Sequence, residues 1–161
     1  LEKISAKGWQ AVIDTNLTGG FLGARECYLQ SLQANGGAIV NMSSAAGRHG
    51  YAFRTPYAAA KFGVIGLTQS LAKELGPHNI RVNAILPGIV EGPRMEKVIQ
   101  DRAAQVGVSY GEMETRYLER VSLRRMVSPN DIAAMVTFLL SPMGENISGQ
   151  SLGVDGNVET L

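Results

Sequence analysis

Residues 41–61 read N-M-S-S-A-A-G-R-H-G-Y-A-F-R-T-P-Y-A-A-A-K. The stretch leaves an apolar strand over 38–42, passes a serine pair and a short Gly-containing loop, and opens a helix whose first turns hold Tyr57 and Lys61. Residues four apart lie on one helical face, so the spacing predicts that the phenol and the ammonium point the same way. A free tyrosine is a poor base, with a pKa of about 10. A neighbouring cation and the positive end of a helix dipole both stabilise a phenolate. A tyrosine so placed is expected to exchange a proton with an alcohol or a ketone near neutral pH. Ser44, at the strand end, is placed to hold the same oxygen by a hydrogen bond.

Outward from this stretch the chain alternates helical and strand patterns. Apolar positions including Trp9, Val12, Leu17, Phe21, Leu29 and Leu32 predict a helix from Ser5 to about Ala34. The glycines of G-G-F-L-G at 19–23 fall inside that pattern and read as close-packing positions. Asn35-Gly36-Gly37 is a stop signal. Thr55 is expected to cap the next helix and Pro56 to take its first position. That helix runs to about Leu75 and closes at Gly76-Pro77. A strand over 80–86 stops at Pro87-Gly88. Helical patterns follow over 94–105 and 110–121. Pro129-Asn130-Asp131 opens a helix over 132–140, and 150–154 reads as a third strand. The order predicts an α/β fold: part of a doubly wound parallel sheet, Rossmann-like, with three strands and flanking helices. No repeat or linker divides the chain, so 1–161 reads as a single domain or part of one.

Composition narrows the function classes. The 161 residues suffice for one core, and a net charge of +1 argues against nucleic-acid or membrane partners. No apolar run reaches the roughly 18–20 residues that span a bilayer. A single cysteine, Cys27, cannot form an internal disulfide, and its apolar helical setting predicts a buried, inert thiol. A cytoplasmic protein is expected. His49 and His78 stand too isolated for a metal site. The helix over 57–75 is charged only at Lys61, Lys73 and Glu74, so it needs cover on both sides. The sheet can cover one; a second subunit is the expected cover for the other.

The strand ending in Ser44, thirteen residues before Tyr57, is joined by further pieces in a fixed order. These are T-N-L-T-G at 15–19, the Ala/Gly-rich helix, I-R-V-N-A-I-L-P-G at 80–88 and I-S-G-Q-S-L-G-V-D-G-N at 147–157. Together they resemble the short-chain dehydrogenase/reductase family over nearly the whole chain. The resemblance implies interconversion of a carbonyl and a secondary alcohol with NAD or NADP. Tyr57 would be the general acid and base, Ser44 would orient the reacting oxygen, and Lys61 would assist Tyr57 and bond the nicotinamide ribose. Asn16 matches an asparagine that kinks the helix and holds a water in the proton relay. Pro87 and Gly88 match a bend against the nicotinamide, and Val90 matches a contact to its carboxamide. Residues 92–120 fall where the family builds its helical substrate lid. A homodimer or homotetramer acting on a small-molecule substrate is implied.

Two departures stand out. The family's Gly-rich turn T-G-x-x-x-G-x-G and its N-N-A-G strand end have no match, and Leu1 is an unusual first residue; the chain reads as the C-terminal part of a longer protein. Gly92 stands where the family usually has a threonine that meets the cofactor, with Arg94 close by. A non-catalytic relative that binds a nucleotide or a partner is the competing reading, as is an inactive piece of an enzyme. Such relatives usually lose the tyrosine or the lysine, and this chain keeps both.

Overall fold

The computed structural model describes residues 2–158; Leu1 and residues 159–161, the ends of the span 1–161, lie outside the described residues. Three strands, β1 (Gly37–Met42), β2 (Ile80–Pro87) and β3 (Ser151–Val154), form one parallel sheet in the order β1-β2-β3. Each β-to-β connection is helical, as parallel pairing requires. The expected fold class is the one observed.

The run 80–86 explains the centre of the sheet. Ile80, Val82, Ala84, Ile85 and Leu86 are almost wholly buried. An unbroken apolar strand belongs where both faces are covered. Burying each large side chain there stabilises the fold by roughly 1.5–3 kcal/mol. The polar residue in the run is also accounted for. Asn83 Nδ2 donates to the Ile147 carbonyl at 2.7 Å, and its Oδ1 accepts from Gln150 N–H at 3.0 Å. It thereby fixes the loop that leads into β3.

The N-terminal helical run is continuous but not uniform. It comprises α1 (Ala6–Ile13), α2 (Gly19–Cys27) and α3 (Gln33–Asn35), joined by π-turns over Asp14–Thr18 and Tyr28–Leu32. Ser5 caps it, its Oγ accepting from Gly8 N–H. The close-packing reading of Gly19, Gly20 and Gly23 does not hold: these residues are exposed, and no neighbouring element lies against them. The tight contact is made by Gly63 of α4 (Thr55–Leu75), where an added Cβ would lie 2.8 Å from Leu17 Cδ2. Cys27 is exposed rather than buried, because no other element covers that side of α2.

Helix α4 begins one residue earlier than its Thr-Pro signal indicates. Arg54 takes the N-cap position, so Thr55 is already helical and does not cap. Thr68 of α4 is fully buried; its hydroxyl donates to Val64 O at 2.7 Å and accepts from Asn41 Nδ2 at 2.9 Å, locking helix to strand. After β2 come α5 (Pro93–Val106) and α6 (Tyr110–Leu118), packed on each other through Ile99, Ala103 and Met113. Helix α7 (Pro129–Leu140) starts with a reciprocal cap between Ser128 and Asp131 and lies against the sheet.

Candidate active site

All three strands run the same way, so their C-terminal ends meet on one side, where ligands of such sheets bind. β1 ends at Met42 and its ladder continues through Ser43, whose N–H donates to Ile85 O at 2.8 Å. The next two side chains divide the work. Ser43 Oγ is buried and donates to Lys61 O at 2.8 Å, tying the strand end to α4. Ser44 Oγ accepts from Ala46 N–H at 3.2 Å and caps a single turn over Ala45–Gly47. Its hydroxyl proton keeps no partner among the described residues. Gly47 lets this turn lie against the helix, since a Cβ there would stand 2.8 Å from Lys61 O.

Tyr57 and Lys61 share one face of α4, as their spacing predicts. The Lys61 Nζ lies 5.5 Å from the centre of the Tyr57 ring and donates to Met42 O at 3.0 Å. The ammonium therefore sits over the ring face, bridging helix and strand end. Partial burial lowers the Lys61 pKa from its ordinary 10.5.

Tyr57, Ser44, Pro87, Gly88 and Val90 all line one cavity of about 310 Å³, within the size range of small-molecule sites. Lys61 is not itself among the lining residues and meets the site through the Tyr57 ring. Gly88 is held by its own surroundings: its N–H donates to Val154 O, and a Cβ would stand 2.7 Å from Asp155 Cα. Val90 forms a single parallel bridge with Val127 that uses the flanking Ile89 carbonyl and Glu91 N–H. The N–H and C=O of Val90 itself have no partner among the described residues. One donor and one acceptor at an apolar wall match the hydrogen-bonding pattern of a carboxamide, so this part of the site fits a nicotinamide.

Asn16 is not in the cavity wall. It lies in the π-turn beside α4, half-buried, with Nδ2 donating to Val12 O at 3.0 Å and Oδ1 without a partner among the described residues. Gly92 has φ +137° and starts α5 without a side-chain cap.

The structure adds Tyr51 and Arg54, which carried no signal as site residues and reach the cavity from the loop before α4; Tyr117 and Arg120 reach it from the end of α6 and just beyond, within the segment 92–120 expected to form the lid. Arg54 stacks on Tyr51 at 5.4 Å. Arg94, Met95 and Val98 of α5 complete the wall, so the segment 92–120 supplies one side of the site. Among the described residues no three His, Cys, Asp or Glu side chains group as metal ligands, and no helix is long and apolar enough to cross a membrane.

The sequence profile of a family described as enoyl-(acyl carrier protein) reductase matches residues 1–158. The 3-oxoacyl-(acyl-carrier-protein) reductase of Thermotoga maritima is 37% identical over 158 residues, covering 98% of this chain and 60% of that protein. Sorbitol-6-phosphate 2-dehydrogenase from Erwinia amylovora superposes with a TM-score of 0.91 at 29% identity, over 100% of this chain and 64% of the other. An actinorhodin polyketide ketoreductase variant solved with NADPH gives a TM-score of 0.90 at 33% identity, over 99% of this chain and 62% of the other. The chain thus spans about 60% of the length of the relatives it matches.

Proposed function

The chain belongs to the short-chain dehydrogenase/reductase family, and from this we propose that it serves an NAD(P)-dependent oxidoreductase interconverting a ketone and a secondary alcohol. One observation carries the reading: a tyrosine with an ammonium over its ring opens onto the same cavity as a serine hydroxyl with a proton to give.

A bound nicotinamide supplies the hydride, which no side chain can carry. Pro87 and Val90 would hold its ring, the Val90 backbone pair meeting the carboxamide. In the direction of reduction, the Ser44 hydroxyl donates a hydrogen bond to the substrate oxygen and the Tyr57 phenol gives it a proton. The Lys61 ammonium stabilises the phenolate that remains. After its bond to Met42 O the ammonium keeps two protons, which suit ribose hydroxyls. In the direction of oxidation the same groups act in reverse, Tyr57 as base.

We assign Asn16 the water of a proton relay, supported by its unpartnered Oδ1 and its place beside α4. Residues 92–120 act as a lid that excludes water, supported by the side chains α5 and α6 present to the cavity. The assembly is a cytoplasmic homodimer or homotetramer, for which exposed apolar residues on α2 and α4 argue.

The test is cofactor absorbance with a ketone panel and NADH or NADPH. Tyr57→Phe is expected to lower kcat by about 10²–10⁴-fold, the usual weight of general acid–base catalysis. Undiminished turnover in that variant would remove Tyr57 from the mechanism.

A further inference from the structure

The site cavity has a neighbour. A second cavity of about 490 Å³ shares Tyr51, Tyr117 and Arg120 with it, so the two lie side by side. The second is otherwise built by α5, α6 and the loop before α4, and its polar lining is basic: Arg102, Arg116 and Arg120. Arg54 and Arg94 line the first. No Asp or Glu among the described residues lines either one. The whole chain carries 15 basic and 14 acidic residues, so the single sign of this lining is local and does not follow from net charge.

The arginines are incompletely answered. Arg116 pairs with Glu112 at 2.7 Å, and Arg102 donates to the neutral Gln105 Oε1 at 3.2 Å. The Arg120 guanidinium has no partner among the described residues. Like charges gathered in one cleft repel, and the low-dielectric walls strengthen the field between them. An anion relieves that repulsion, and the planar guanidinium fork fits carboxylate or phosphate oxygens two at a time.

Tyr51 and Tyr117 belong to both linings, and their rings are apolar bodies suited to an uncharged chain. Phe53 stands at the rim of the second cavity, 99% exposed and with φ +65°. That backbone region is uncommon for a bulky residue, and the ring packs against nothing in the fold.

We infer that the substrate is an elongated anion: a ketone at one end for Tyr57, an apolar spacer along Tyr51 and Tyr117, and a carboxylate or phosphate at the far end held by Arg102, Arg116 and Arg120. The inference rests on the carbonyl chemistry proposed above, and it names the substrate class for that site.

The test compares levulinate and its longer homologues with their methyl esters, and an acetoacetyl-pantetheine thioester with its phosphorylated form. The expected result is a kcat/KM about tenfold higher for the anionic member, since two or three exposed ion pairs each contribute a few-fold. That advantage should shrink as ionic strength rises. A preference among the oxo acids identifies a carboxylate end; one confined to the thioesters identifies a phosphate end.

The double variant Arg102→Gln/Arg120→Gln should bring the ratio of anion to neutral partner towards one. A merely structural role would lower both alike and leave the ratio standing. Titration calorimetry of the saturated carboxylic acids against the matching alcohols reads charge selectivity without turnover. Equal handling of charged and neutral partners, or a ratio unmoved in the double variant, overturns the inference and leaves the proposed reaction intact. Charge-selective binding lost in the variant, with no turnover of any ketone, supports the anion site and counts against the reaction instead.

Discussion

Lys61 donates to the Met42 carbonyl while lying over the Tyr57 ring, so a single side chain couples strand, helix and phenol. Its burial disfavours the charged form and lowers its pKa from 10.5. Between the lowered value and 10.5 the folded amine has lost its proton while the unfolded chain retains it. Folding therefore gains as pH rises through that window, while the cation that supports a phenolate is lost earlier than in a free lysine. Lysine side-chain carbon NMR, with Lys61→Arg to assign the resonance, should show Lys61 titrating below 10.5; titration at or above that point contradicts the burial. Gly92 makes a second prediction. The family's usual threonine would have to adopt φ +137° here, a region almost closed to β-branched residues. Gly92→Thr should therefore destabilise by about 1–3 kcal/mol in urea unfolding. A midpoint equal to that of the parent chain would mean that this turn relaxes freely.

Elements are held in place by polar side chains as much as by apolar ones. Asn83 lies in the middle of the most buried strand, and its amide group serves both Ile147 O and Gln150 N–H. Replacing it with leucine keeps the branched shape but strands the Gln150 N–H and leaves Ile147 O only the long 3.4 Å bond from Arg81, so Asn83→Leu should cost about 1–3 kcal/mol. Hydrogen exchange should show the loss first at the 147–150 loop and β3. Uniform loss across the sheet would mean that Asn83 acts through the core and not through that loop. Ser43 and Thr68 do comparable work between β1 and α4. The segment 38–42 and its serine pair were legible as a strand end from sequence. The partition of roles between Ser43, turned to the helix backbone, and Ser44, turned to the cavity, follows from strand alternation only once the ladder with Ile85 is known.

At the scale of the molecule, two surfaces are left incomplete within the described chain. Phe21, Leu22 and Leu29 on the N-terminal run and Phe62 on α4 stay about half exposed, more large apolar groups than a lone subunit usually shows on neighbouring helices. β1 is an edge strand, half-buried, with Met42 open to solvent. Light scattering after size exclusion should give a mass of at least two chains, and Phe62→Lys with Leu29→Lys should lower it to one; a single-chain mass for the parent would remove the subunit contact. From the sequence alone came the order of elements, the parallel sheet, and the placing of Ser44, Tyr57, Pro87, Gly88 and Val90 at strand and helix ends. Periodicity, glycine and proline signals and a four-residue helical spacing are local properties, and local properties can be read along a chain. Cys27 and the glycines at 19–23 are exposed despite their apolar helical setting, because burial depends on what lies opposite, which no local pattern records. The arginine-lined extension of the cavity was invisible for the same reason. Arg54, Arg102, Arg116 and Arg120 are scattered over 54–120 among balancing acidic residues, and only the packing of α5 and α6 brings them, with Arg94, into the linings of two neighbouring cavities.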